Sequence, residues 1–474
     1  MNEGEMLYID GDWEAGERYE TLYSPYDQEE LARIPLATKA QVKRAIESAH
    51  HATRTMKSLS AFERAELLSN VAAGFEKYDE QCAQILVKEN AKPIKAARGE
   101  INRTIETYRF AAEEAKRIHG EMVPLDAAEG GKSRLGYTKH EPLGVIAAIT
   151  PFNFPFNLTA HKLGPAFAAG NTVVLKPASQ TPLSGLMTAR IFEEAGLPKG
   201  ALQVITGKGS ELGDLLVKDD RVRMVTFTGS VSVGKAILEK AGLKKVTLEL
   251  GSNSGVIVDT VEDLDAVVER CVEGAFTYAG QVCISVQRIF VQDRLYQPFL
   301  ERLVEKTESL QIGDPAHENT DVSALISPGE TERLQAWVNE AHEQGATIAF
   351  GGNKRGAVIE PTIITNADRT LSVNAGEAFG PVVTVTPYEN FDQAIAGVNH
   401  SVYGLQAGVF TTEIAKAFKA ADELEVGGVI INDIPTFRVD NMPYGGVKNS
   451  GTGKEGVKYS TEEMTEMKFV SFKL

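Results

Sequence analysis

Five short apolar runs rich in branched residues, "GVIAAIT", "NTVVLKP", "LQVITG", "RMVTFTG" and "KVTLELG", begin at residues 144, 171, 202, 223 and 245. Successive starts lie 27, 31, 21 and 22 residues apart. Each interval has room for one strand and one helix, and a parallel pair of strands needs a crossover of at least that length. The rhythm therefore predicts an α/β fold with a parallel, doubly wound sheet. In such sheets the ligand crevice forms at the carboxyl ends of the strands.

Before these runs, residues 40 to 120 read as helices. "KAQVKRAIESAHHA", "AFERAELLSNVAAGFEKY" and "EINRTIETYRFAAEEAKRI" each repeat apolar positions at three- and four-residue spacing. A second set of elements begins near 255: a helix at 262 to 279, the strand "RIFVQ", helices near 295 to 310 and 330 to 344, then "VVTVTPY", "AGVFT" and "GGVIIN". This set predicts a second α/β domain. "EGGKSRLGYTKHEPLG" and the tail "EEMTEMKFVSFKL" alternate like edge strands. Edges need covering, so both are candidates for subunit pairing.

Length and charge narrow the partners. A chain of 474 residues suits two or three domains with ample core. With 49 basic and 65 acidic residues the formal charge is −16, and no lysine and arginine block marks a nucleic-acid footprint. The acidic start lacks the regions of a signal peptide, and nowhere do eighteen apolar residues run together, so a cytoplasmic protein without a membrane partner is expected. The three cysteines, Cys82, Cys271 and Cys283, read as free thiols, and without CxxC or HxxxH spacing no metal site is expected.

Two strand-to-helix turns are candidates for a phosphate cradle. "VITGKGSELG" spaces Gly207, Gly209 and Gly213 one residue longer than the dinucleotide fingerprint, and "VTFTGSVSVG" repeats the arrangement with Gly229, Ser230 and Gly234. Lys176 closes the strand "TVVLK" and Pro177 stops it; a lysine there either donates to ribose hydroxyls or is simply solvated. Among the thiols, Cys82 and Cys271 fall at helical spacing with apolar neighbours and read as core. Cys283 follows "AGQV", between the end of a helix pattern and the start of a strand. From that boundary a side chain can reach a cleft, and position alone leaves packing and nucleophile both open.

Taken in order, "FTGS", "LELGSNSG", "GQVC", "EAFGP" and "PYGGVKNSG" resemble the NAD(P)-dependent aldehyde dehydrogenase superfamily over nearly the whole chain. "INRTIETYRFAAEE", "PFNFPFNLTAHKLGPAFAAGN" and "GVKYSTEEMTEMK" are most similar to the non-phosphorylating glyceraldehyde-3-phosphate dehydrogenases and lactaldehyde dehydrogenases. The resemblance implies a Rossmann-like cofactor domain over 1–119 and 141–250 and a catalytic domain over 251–447. It also implies a β arm over 120–140 and 455–474 that joins subunits into a homodimer or homotetramer.

The resemblance also assigns roles. Cys283 matches the nucleophile that adds to an aldehyde carbonyl, and Asn153 matches the amide that, with the Cys283 backbone N–H, donates to the resulting oxyanion. Glu249 matches the base that activates water against the thioester. Read without the family, Glu249 is a strand-end surface carboxylate. Glu377 and Phe379 match residues that place the nicotinamide ribose and ring. Phe152, Phe227 and Val233 match walls of the cofactor cleft, to which Thr150, Lys176, Ser179, Gly209, Gly213, Gly229, Ser230 and Leu250 also belong. Ala378 stands where a larger apolar residue is common.

Specificity rests on three departures or matches. Ser179 replaces the glutamate that binds ribose hydroxyls in many NAD-preferring relatives, so NAD(P)+ use with NADP accepted is expected. Arg103 matches an arginine that contacts the substrate phosphate of the glyceraldehyde-3-phosphate enzymes, and Arg438 lies near another. Val282 stands where those enzymes place an arginine. A short hydroxyaldehyde such as lactaldehyde, or an analogue with a single sulfonate or carboxylate, is therefore the expected substrate, with glyceraldehyde 3-phosphate and semialdehydes as alternatives. A CoA-acylating relative lacks the glutamate at 249, and a non-catalytic relative has no reason to keep Cys283, Glu249, Asn153 and Lys176 together.

Overall fold

A computed structural model describes residues 4–474. The five sequence runs are neighbours in one sheet, in the order Leu202–Val204, Thr172–Lys176, Val145–Ile149, Val222–Thr228, Lys245–Glu249, all parallel. Side chains alternate across a strand, and here both faces are covered. Ile146 and Ala148 point into a core with the helices Ala61–Lys77, Ile94–Glu114, Asn157–Ala168 and Pro182–Glu194. Val145, Ala147 and Ile149 point into a second core with Lys39–Ser58, Gly209–Lys218 and Val231–Ala241. Burial on both sides is why the runs read as continuously apolar rather than alternating.

The later elements form a seven-stranded sheet in the order Thr347–Phe350, Thr362–Thr365, Val382–Tyr388, Arg288–Gln292, Gly255–Val258, Gln406–Phe410, Gly428–Ile431. The strand "GVIV", between Arg288–Gln292 and Gln406–Phe410, carries no sequence signal of its own, because four residues after "GSNS" hold too little periodicity. The helix Asp79–Asn90, which carries Cys82, falls inside the helical stretch, whereas the four N-terminal strands were not anticipated. One of these was legible: Leu7–Ile9 and Asp12–Glu14 are joined by Asp10-Gly11, both at positive φ, the Asp-Gly hairpin signal.

The two alternating stretches pair with each other. Thr465–Lys473 runs antiparallel to Arg134–Pro142 through nine residue pairs, with Met122–Val123 on the far edge. Met122, Leu135, Met467, Phe469 and Phe472 are exposed on this small sheet. No helix among the described residues is long and apolar enough to cross a membrane.

Candidate active site

Cys283 follows a strained turn. After the helix Leu264–Phe276 the chain makes one turn of 3-10 helix, Thr277–Gly280, in which Tyr278 and Ala279 both sit at φ 51°. Left-handed non-glycine residues cost about 1–3 kcal/mol each and persist only where their surroundings enforce them. Here both are buried, and the Gln281 side chain anchors the turn by accepting from the Ile326 N–H at 2.9 Å. Cys283 is left half-buried, lining a cavity of about 380 Å³ that Arg103, Phe154, Tyr278, Val282, Arg438 and Tyr444 also line. Burial pushes its thiol up to about 11, opposed by a hydrogen bond from Tyr444 and the charge of Arg438, and assisted by Glu377 and Glu249. Cys82 and Cys271 lie in separate apolar cores.

Asn153 is brought to this cysteine by a scaffold that the sequence did not reveal. Its Nδ2 donates to the Gln281 carbonyl at 3.0 Å, two residues before Cys283. An amide nitrogen has two N–H groups, so one stays available. The loop carrying Asn153 is held from the helical layer: Asn90 Nδ2 donates to the Phe152 carbonyl at 2.7 Å, and Lys92 Nζ donates to the Asn153 carbonyl at 2.7 Å. Lys92 is fully buried, paired with Glu100, and stacked over Phe154 and Tyr278 at 3.8 and 4.4 Å. Glu100 in turn accepts the N–H groups of Phe156 and Asn157 at 2.9 and 3.2 Å. One ion pair thus holds the segment from Asn153 to Asn157 and stacks against Tyr278 of the turn that precedes Cys283.

Glu249 ends the strand Lys245–Glu249 and is buried, with both carboxyl oxygens unpartnered. Burial, then the charge of Glu455, pushes its carboxyl well above the usual range, while Arg438, Lys162 and Lys454 pull it down. Gly445 makes room for it: a Cβ there would sit 2.9 Å from Oε1. Behind Glu249 lies a buried charge set. Lys162 Nζ donates to Glu455 at 2.9 Å and to Thr226 at 3.1 Å, and Arg438 donates to the other Glu455 oxygen at 3.0 Å.

A second group of residues suits a nucleotide. Lys176 is buried, its Nζ donates only to the Pro177 carbonyl at 2.8 Å, and no carboxylate pairs with it among the described residues. Burial pushes it down to about 8. The hydroxyls of Thr150 and Thr228 are buried without partners. Gly209 begins the helix Gly209–Lys218, with its Cβ position 3.7 Å from Lys176 Cε, and Gly213 lies inside that helix. The helix Val231–Ala241 starts after Ser230 with no side-chain cap and no acid in its first turn, leaving an open N-terminus, and Val233 is exposed there. The Gly229 N–H is not free for this purpose, since it donates to the Glu249 carbonyl at 3.0 Å. Phe227 lies in the core beneath the Gly229 turn, where a Cβ would meet its ring at 2.5 Å, and Leu250 is buried beside it. Glu377 accepts the Ser252 N–H at 2.9 Å, and burial pushes it up to about 7. Phe379, at φ 46°, packs edge-on against Phe152 with ring centroids 5.7 Å apart. Ala378 is buried, and both its backbone groups are bonded, N–H to Gln287 at 3.0 Å and C=O to Arg333 at 2.7 Å, so the smaller side chain leaves the loop pinned. An unpaired buried lysine, orphaned hydroxyls and an open helix N-terminus fit a dinucleotide.

A profile described as the aldehyde dehydrogenase family matches residues 13–470. The chain belongs to that family. This aldehyde dehydrogenase is an oxidoreductase that uses NAD(P)+. It is 49% identical over 468 residues to 3-sulfolactaldehyde dehydrogenase of Priestia aryabhattai, covering 99% of this chain and 98% of the relative. Aldehyde dehydrogenase 21 of Physcomitrella patens, solved with the reaction product succinate, superposes with a TM-score of 0.97 at 40% identity, over 99% and 98% of the two chains. Glyceraldehyde-3-phosphate dehydrogenase GapN of Methanocaldococcus jannaschii, solved with NADP, gives 0.93 at 40% identity, over 97% and 100%.

In this aldehyde dehydrogenase the two sequence-named arginines both line the cavity, and both are already paired. Arg103 holds Asp440, and Arg438 holds Glu455 while its guanidinium lies 3.7 Å above the Tyr444 ring centre. Arg438 keeps a buried Nε without a partner. Asp440, His161, Lys162, Glu455, Lys92 and Glu100 had no signal of their own in the sequence. Each sits on a helix or loop where a charged residue ordinarily faces water.

Proposed function

We propose that Cys283 attacks a short aldehyde carrying one negative charge and that the product is the carboxylate. The observation that carries this reading is that Cys283 lines one cavity together with Arg103 and Arg438. The Cys283 thiolate adds to the carbonyl carbon, and the oxygen takes up negative charge. The second N–H of Asn153 and the Cys283 backbone N–H meet that charge. When bound, NAD(P)+ supplies the oxidant that accepts hydride from the adduct carbon. What stays on Cys283 is a thioester. Glu249 then takes a proton from the water that attacks it, the acid departs and the thiolate is regenerated. Lys176, the start of the helix Val231–Ala241, Glu377 and Phe379 hold the nucleotide. The cofactor role of 1–119 with 141–250, and the catalytic role of 251–447, follow from this division.

The charge balance supports a monoanion. Arg103 is offset by Asp440 and Arg438 by Glu455, and Val282 adds no cation. A sulfonate or carboxylate is satisfied by such a site more readily than a phosphate dianion, as the sulfolactaldehyde name of one relative and the succinate bound to another also suggest. Ser179 faces a cavity that Lys208 also lines and carries no negative charge to repel a 2′-phosphate, which supports acceptance of NADP. The exposed apolar residues of the small sheet support pairing into a homodimer or homotetramer, and the cytoplasm is the proposed location. Steady-state assays with neutral, carboxylated, sulfonated and phosphorylated short aldehydes, each with both nucleotides, test the reading. The highest kcat/KM is expected for a monoanionic aldehyde; a phosphorylated or neutral one ranking first contradicts it.

A further inference from the structure

Tyr444 is the third residue of "MPYGG" and is buried, and its hydroxyl has one hydrogen-bond partner among the described residues, the Cys283 sulfur at 2.9 Å. The ring is held with little freedom. Its backbone exchanges two hydrogen bonds with Glu455, at 3.0 and 2.6 Å, and the same Glu455 binds Arg438, whose guanidinium covers the ring face at 3.7 Å. Packing alone needs only the ring, which phenylalanine would supply. The hydroxyl adds a donor aimed at the reacting atom.

We propose that Tyr444 is a further catalytic residue, whose O–H donates to the Cys283 thiolate, stabilises it and aims it at the carbonyl. The inference rests on Cys283 being the nucleophile. Burial keeps the phenol well above its ordinary range, so the group stays a donor throughout the working pH range. A cation over the ring face draws electron density from the hydroxyl and sharpens its donor character. This gives Arg438 a positioning role in addition to any contact with substrate. The charged groups that act on the sulfur are Arg438 on the favourable side and Glu377 and Glu249 on the unfavourable one, so the tyrosine donor is the strongest local aid to ionisation.

The test is the alkylation of Cys283 by iodoacetamide as a function of pH, read by peptide mass. The thiolate displaces iodide, a C–S bond replaces C–I, and the rate reports the thiolate fraction. Tyr444→Phe keeps the ring and its stacking. In that variant the midpoint of alkylation is expected to move up by about one pH unit, and kcat to fall roughly tenfold with KM within about twofold, because hydrogen bonds to charged groups are the strong ones. Its thermal midpoint should stay close to that of the parent. An unchanged or lowered alkylation midpoint overturns the proposal. Cys283→Ala separates the two claims: aldehyde oxidation surviving that change refutes the nucleophile itself, whereas its loss beside a normal Tyr444→Phe profile refutes only the tyrosine.

Discussion

Arg103 grips Asp440 with one guanidinium edge, Nη2 to Oδ1 at 2.7 Å and Nε to Oδ2 at 3.4 Å, and the same Oδ1 is bonded to His161 Nε2 at 2.8 Å. Against its burial, the His161 hydrogen bond and Arg103 hold the Asp440 carboxyl well below the usual range. The arginine, which lines the cavity, is therefore oriented before substrate arrives.

Arg103→Ala is expected to raise KM for sulfonated or carboxylated aldehydes about tenfold or more, because a charge-assisted contact is lost, and to leave KM for neutral aldehydes within about twofold. Initial-rate measurements on matched substrates check it. Equal effects on both would make Arg103 a structural partner of Asp440 and nothing more.

Ser179 is exposed and donates to the Gly207 carbonyl at 3.1 Å, at the edge of the cavity it shares with Lys208. Ser179→Glu places a negative charge there and is expected to lower kcat/KM for NADP relative to NAD by about tenfold through like-charge repulsion. An unaltered ratio of the two nucleotides would show that the 2′ position lies elsewhere.

Glu249 enters the reaction as a base only after losing a proton that its burial and Glu455 favour keeping. A carboxyl with a raised value ionises late, so turnover limited by hydrolysis is expected to rise with pH, and the base form is depleted as pH falls. Glu249→Gln is expected to give one burst of reduced cofactor per site, followed by turnover slowed by about a hundredfold or more. Unchanged steady-state turnover would remove Glu249 from the mechanism.

The parallel sheet was legible because its five strands are buried on both faces and carry an unbroken apolar signal at regular intervals. Cys283, Asn153 and Glu249 were legible only through the resemblance of their motifs to the family, since position alone left Cys283 open and made Glu249 a surface carboxylate. What could not be seen is the support. Lys92 and Glu100 look like ordinary helix-surface charges until the fold encloses them together, and Asp440 meets Arg103 across 337 positions of sequence. Nothing local encodes those pairings. The buried Phe227 and the Gly229 N–H spent on Glu249 show the converse, because a motif match locates a turn without saying which of its groups stay free.

The buried pair of Lys92 and Glu100 makes a separate stability prediction. Lys92→Met strands the Glu100 charge and removes the donor to the Asn153 carbonyl, and is expected to cost about 3–5 kcal/mol of stability. Combining it with Glu100→Gln should recover part of that loss. Denaturant unfolding of the single and double variants checks the coupling, and strict additivity would deny it.

The central claim is that one sulfur, Cys283, carries the acyl group between oxidation and hydrolysis. Acid-quenched enzyme, sampled during turnover of a short anionic aldehyde by Glu249→Gln, should show the substrate's acyl mass on the peptide containing Cys283, and Cys283→Ala should show neither the adduct nor reduced cofactor. Cofactor reduction at the parent rate by Cys283→Ala, or an acyl adduct on any other residue, would contradict the account.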